Sequence, residues 1–297
     1  MSSANTVKVG EAFLGGAVGE YPTAVLGTLF FSGQNLLIDS EQGIFDEASA
    51  LDQIRRAEKA TVQTGVSLFL DIVAETAAAM KNYLYFIIKN TSLPFLIDAS
   101  SDEVRVAGIE IAQKHSALER AVYNSMGPDT SKEELDIIER YTPAAIVVSA
   151  MDPMDFGATS ALAIIEQIKE SLPDRIHDRL LVDIGFLDEA SVRTSANLAQ
   201  KVREHTGYPV GGAPCNGIYM WESLKNQGEE AVRSALSATL GYVAAFGLDF
   251  LFVGPLRNVE HIAPAIGAAD VYNRYELQSG NYNKSLPKRH PMKVMFS

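Results

Sequence analysis

Five apolar runs of strand length in this chain each end on a carboxylate or a carboxamide. Leu68 to Leu70 ends on Asp71, Phe95 to Ile97 on Asp98, Ala121 to Tyr123 on Asn124, Leu180 to Val182 on Asp183, and Tyr208 to Cys215 on Asn216. A buried parallel strand is apolar on both faces, so the first polar side chain past its end sits at the rim of the sheet. In a parallel α/β fold such rims converge and form a polar pocket without metal or phosphate chemistry. Carboxylates accept from amino groups and ring N–H, and amides both accept and donate. A flat 2-amino-4-oxo-pyrimidine, as in a pterin, offers that combination on one ring.

The competing explanation for an Asp at a strand end is a helix N-cap. Asp98 lies in Asp98-Ala99-Ser100-Ser101-Asp102, where Ser101 or Asp102 can cap instead. Asn124 precedes Ser125-Met126-Gly127-Pro128, a loop and not an immediate helix. Asp71 has no obvious substitute cap nearby, so for it the two readings stay balanced. No Gly-x-Ser-x-Gly elbow, Walker sequence, His-Glu-x-x-His or Cys-x-x-Cys occurs. His115, His177 and His205 fall at expected helix ends or on the barrel floor, and no strand end in the set is a Lys suited to Schiff-base chemistry. Cys215, the single cysteine, reads as a small apolar filler and excludes a disulfide framework or a Cys-based zinc cluster.

The elements that must position these residues alternate. A hairpin over Val7 to Leu14, within residues 1–16, is expected to plug a barrel floor, followed by a first strand from Thr23 to Phe31. The first helix is predicted from Glu47 to Thr64 with Asp46 as N-cap and Gly65 as stop. Further strands are predicted at Val66 to Ile72, from Phe95, at Ala121 to Tyr123, Ala145 to Ser149, Arg179 to Val182, from Tyr208, and at Phe250 to Val253. Between them fall helices over about Thr76 to Lys89, from Ser101 or Asp102, from a Ser131/Glu134 capping box, and over Ser160 to Ser171, Ser195 to His205 and Glu229 to Phe246. A last helix runs from Glu260 to Tyr275. Strict alternation, and one glycine only in Thr28 to Gln34 after the first strand, favour a closed (β/α)8 TIM barrel over an open dinucleotide-binding sheet. Residues 1–297 are expected to form one domain, with 281–297 a basic tail that is solvated or packs on a neighbouring protomer.

A formal charge of −12, from 37 acidic and 25 basic residues, disfavours nucleic acid and anionic lipid as partners. No stretch reaches the roughly 20 apolar residues that cross a bilayer, and no secretory leader opens the chain, so a cytoplasmic protein is expected.

The segments Gly19-Glu20-Tyr21-Pro22-Thr23, Gly43-Ile44-Phe45-Asp46, Pro94 to Asp98, Ala121 to Ser125, Arg193-Thr194-Ser195, Gly207 to Gly211 and Asp249 to Pro255 occur in that order. Together they resemble the MtrH family, the H subunits of tetrahydromethanopterin S-methyltransferase, and its relatives, the methylcorrinoid:tetrahydrofolate methyltransferases of bacterial methylamine and glycine betaine demethylation. The resemblance runs from about Val7 to His290. It implies a pterin-binding barrel of the dihydropteroate synthase type, in which Asp98, Asn124 and Asp183 hold the pterin, joined by Asp71, and Asn216 reaches N5; Asn216 and Asp183 are then the catalytic pair. It also implies methylcobalamin carried by a separate corrinoid protein, tetrahydrofolate as methyl acceptor or donor, and a homodimer. Cys215 replaces a His that many MtrH sequences carry before this Asn. With no membrane-associating extension, the stand-alone tetrahydrofolate branch is preferred to the methanogen type. Arg193 and Arg257 are weighed as contacts for an acidic substrate tail. The rivals are dihydropteroate synthase, which needs more basic residues than the strand-eight exit Gly254-Pro255-Leu256 offers, and a non-catalytic scaffold for a corrinoid protein.

Overall fold

The barrel closes through eight parallel strands taken in chain order: Ala24–Leu29, Ser67–Val73, Phe95–Asp98, Ala121–Met126, Ala145–Ser149, Leu180–Asp183, Val210–Gly212 and Phe250–Pro255. The last pairs with the first, Phe250 opposite Ala24, so no barrel edge is left open. This computed structural model describes residues 4–152, 154–279 and 285–295. Helices follow the strands in sequence and cover the outer face, with Ile, Val, Leu and Phe of the strands buried on both sides.

Local chemistry sets the boundaries. The first helix spans Glu47–Thr64, as predicted: Asp46 accepts from Ser49 N at 3.0 Å, and Gly65 ends it at φ 81°. A Cβ on Gly65 would also stand 2.7 Å from Pro291 N, where the end of the chain crosses. The Ser131/Glu134 capping box is formed, opening Lys132–Tyr141.

The floor is closed by the predicted hairpin, Thr6–Val9 paired with Ala12–Gly15. Val7, Val9 and Leu14 are buried, Asn5 N donates to Gly207 O, and Gly10 N donates to Glu119 O, both 2.8 Å. Glu119 and Gly207 precede the fourth and seventh strands, which places the hairpin at the amino ends.

Three expectations are corrected. The basic end is neither free in solvent nor left to a neighbour: His290 and Pro291 are buried, and Pro291–Met295 is helical against the barrel's own outer helices. Lys284 lies outside the described residues. The second strand does not stop at Asp71 but continues through Ile72 and Val73, whose β-branched side chains sustain it. The seventh strand is only Val210–Gly212, and Asn216 belongs to a helix, Cys215–Met220, that starts after Pro214. Unforeseen was the antiparallel pair Leu37–Asp39 with Ile44–Phe45, after the first strand. Its Phe45 packs on Phe30, Tyr83 and Phe86, which gives the Gly43-Ile44-Phe45-Asp46 segment a packing role.

Candidate functional site

At the carboxyl ends of the strands, register brings the polar ends together. Asp98 closes the third strand and pairs with Val73 on one side and Asn124 on the other. Asp183 closes the sixth strand and pairs with Ser149 and Gly211. Asp71 pairs with Thr28 and Leu96, one layer deeper than the others. What caps the second helix instead is Thr76, whose hydroxyl accepts from Ala79 N at 3.0 Å. That frees Asp71 from the capping role that the sequence left open.

Asp71, 2% exposed, accepts from Thr28 Oγ1 at 2.8 Å on Oδ2; its Oδ1 meets no donor among the described residues. Burial, and then the charge of Asp98, push the Asp71 carboxyl well above the ordinary carboxylate range. Asp98 rises to about 6, driven by burial and opposed by hydrogen bonding from Asp71 and Asn124 and by the charge of Arg105. The two carboxyls therefore share a proton that resides on Asp71, with ionised Asp98 as its acceptor. Asn124, 8% exposed, supplies its amide to the same carboxylate.

Asp183 also rises to about 6: burial raises it, the Gly185 N–H donating to Oδ1 at 2.8 Å lowers it, and the Asp98 charge raises it further. Asp183 and Asn216 line one cavity of about 480 Å³ with Ser149, Met151, Phe186 and Tyr219. Asp71, Asp98 and Asn124 form the adjoining cluster, joined to that cavity through the field of Asp98 on Asp183. The five predicted residues are thus placed in one end of the barrel as two linked groups.

Behind the cluster, Tyr123 points outward where Asn124 points inward. Its hydroxyl donates to Glu134, and Arg105 binds that carboxylate (Nε to Oε1 2.8 Å) as well as Tyr123 Oη at 3.1 Å and the Ala99 carbonyl. This buried network ties the fourth strand to two helices. Cys215 is buried, and burial pushes its thiol up to about 12, so it is no thiolate nucleophile. Arg193 is exposed in the first turn of Val192–Thr206, away from a loop position, whereas Arg257 lies in the turn after the eighth strand, within electrostatic reach of Tyr219.

Sequence reading passed over Ser149, which ends its strand by the same rule as Asp98, and Thr28, the partner of Asp71. It also passed over Tyr219, three residues after Asn216, because that spacing matters only once the segment is a helix.

Comparison with known proteins agrees with this architecture. Residues 3–280 match the family model described as tetrahydromethanopterin S-methyltransferase MtrH subunit. The H subunit of tetrahydromethanopterin S-methyltransferase from Methanopyrus kandleri is 29% identical, covering 86% of this chain and 87% of its own length. The corresponding protein of Methanosarcina acetivorans is 30% identical and covers 89% of each. Among solved structures, dihydropteroate synthase of Xanthomonas albilineans superposes with a TM-score of 0.60 at 17% identity, over 94% of this chain and 100% of that one. The Vibrio fischeri enzyme gives 0.61 at 15% identity, over 94% and 99%. These superpositions share the barrel fold. No helix among the described residues is long and apolar enough to cross a membrane.

Proposed function

Because this chain belongs to the tetrahydromethanopterin S-methyltransferase MtrH subunit family and is a methyltransferase, we propose that it moves a methyl group between N5 of a reduced pterin and the cobalt of a corrinoid carried by a partner protein. The observation that carries this reading is the acceptor set Asp98, Asp183 and Asn124 at one mouth, adjoining the cavity lined by Asn216. Carboxylates with pKa values near 6 are ionised at neutral pH and accept from the amino group and ring N–H of a pterin.

The corrinoid supplies or accepts the methyl group. The chain's own residues bind and orient. Holding the reacting atoms in line at near contact can lower a barrier by about 7 to 11 kcal/mol, more than proton transfer usually contributes. A reduced pterin that is methylated at N5 loses the N5 proton; in the opposite direction N5 needs a hydrogen bond to become a leaving group. Asn216 is neutral, donates and accepts, and serves either direction. Asp183 fixes the ring that Asn216 addresses.

The relatives are named for tetrahydromethanopterin, which brings that pterin ahead of the tetrahydrofolate expected from the sequence. Homodimerisation is carried over from the resemblance and is read by sedimentation. The decisive experiment mixes the purified chain with methylcobalamin and either tetrahydromethanopterin or tetrahydrofolate and follows the cobalt spectrum. Demethylation that depends on the chain and on one pterin supports the reading, and the faster pterin names the substrate. No chain-dependent spectral change with either pterin sinks it.

A further inference from the structure

Tyr219 follows Asn216 by three residues on the helix Cys215–Met220, so the two side chains share a face, and both line the 480 Å³ cavity. The phenol is held by Asn258, a buried residue in the turn after the eighth strand. Asn258 Nδ2 donates to the Val253 carbonyl at 2.9 Å and also to Tyr219 Oη. This amide cannot be turned round, because a carbonyl oxygen only accepts. Tyr219 is therefore an acceptor in that bond, and its own O–H is left to point elsewhere. Among the described residues nothing accepts it.

The ring is seated close to bare backbone. A Cβ on Gly254 would lie 2.7 Å from Tyr219 Cε2 and 3.1 Å from Oη, and Gly254 has φ +71°. Burial raises the phenol pKa above its ordinary value, so the hydroxyl keeps its proton. The cavity wall thus carries a neutral, oriented donor beside Asn216.

Resting on the reduced-pterin reading, we propose that Tyr219 donates its O–H to the 4-oxo oxygen of the bound ring, with Asn258 as the positioning residue. In a pterin the 4-oxo oxygen and N5 are peri neighbours on one edge. A helix that presents Asn216 to N5 presents its next turn to that oxygen. An oxygen there is accepted and a nitrogen bearing hydrogens is not, so Tyr219 selects 4-oxo over 4-amino rings.

The test is calorimetry of the full chain and Tyr219→Phe with 6-methyltetrahydropterin and with its 2,4-diamino counterpart, which offers no acceptor at position 4. The Phe variant keeps the ring, and its melting temperature reports that the fold is kept. The expected result is about a five- to tenfold weaker affinity for the 4-oxo ligand in the variant, the scale of one lost hydrogen bond, with no change for the diamino ligand. Equal losses for both ligands would reduce Tyr219 to a packing residue, and no loss for either would remove it from the site; each overturns the proposal. A full-length chain that binds neither ligand overturns the pterin reading itself, an outcome distinct from both.

Discussion

The carboxyl of Asp71 meets that of Asp98 on a diagonal across two strands: Asp98 is in register with Val73, two residues beyond Asp71 on the same face. One proton between them lets the outer carboxylate stay ionised while the inner group is neutral. The pair behaves as one site with a buried reserve of protonation.

Pterin affinity should fall on acidification. Asp98 and Asp183 both titrate near 6, and the ionised forms are the acceptors. Calorimetry at pH 7.5 and pH 5 should show the dissociation constant rising by about tenfold per unit below 6, the slope of one proton, or more steeply if both titrate together. Constant affinity across that range would contradict the assignment of these groups as acceptors.

Stability should carry the opposite signature. The folded pKa of each group is raised above 3.8, so between about 4 and 6 the native state binds more protons than the unfolded chain, and stability declines as pH rises through that window. Asp98→Asn should therefore stabilise the protein by on the order of 1–3 kcal/mol at pH 7.5 and by little at pH 4. Denaturant titrations of the two proteins at both pH values measure it; a variant less stable than the parent at pH 7.5 refutes the sign.

Asn124→Ala and Asp183→Ala should each weaken pterin binding by about 1–3 kcal/mol or more, since ligand N–H groups and the Asp98 carboxylate lose buried partners. Melting temperatures should move by only a few degrees. Unchanged affinity in both variants would remove the pterin from this mouth.

Cys215→Ala should retain methyl transfer within about threefold, the scale of a modest packing change. The thiol sits near 12 and is buried, so native protein should also resist alkylation by iodoacetamide at pH 8. Rapid alkylation accompanied by loss of activity would assign the thiol a role.

Glu134→Ala leaves Arg105 and Tyr123 without their shared acceptor. Removing one partner of such a buried pair typically costs about 3–5 kcal/mol. Chemical denaturation should show that loss, and pterin affinity should fall with it as Asn124 loses its backing. A stability change under about 1 kcal/mol would mean the network is dispensable.

The barrel was legible because fully covered strands read as apolar runs and helices announce themselves with caps; Asp46 and Gly65 bound the first helix at the predicted residues. Asp98 and Asp183 were legible for the same reason, as the final residues of short strands. Asp71 misled because Ile72 and Val73 keep the strand going past it. Asn216 misled because an apolar run does not distinguish a strand end from a short helix, and Gly211-Gly212 ends the pairing early. Tyr219 and Asn258 are 39 positions apart, and only closure of the barrel makes them neighbours.

The hairpin packed beneath the strands makes the barrel a vessel with a sealed base. Whatever enters to reach Asp183 has one doorway for arrival and departure. With a protein-borne second reactant covering that doorway, the small ring must be seated first and released last, a compulsory order that steady-state inhibition patterns would display.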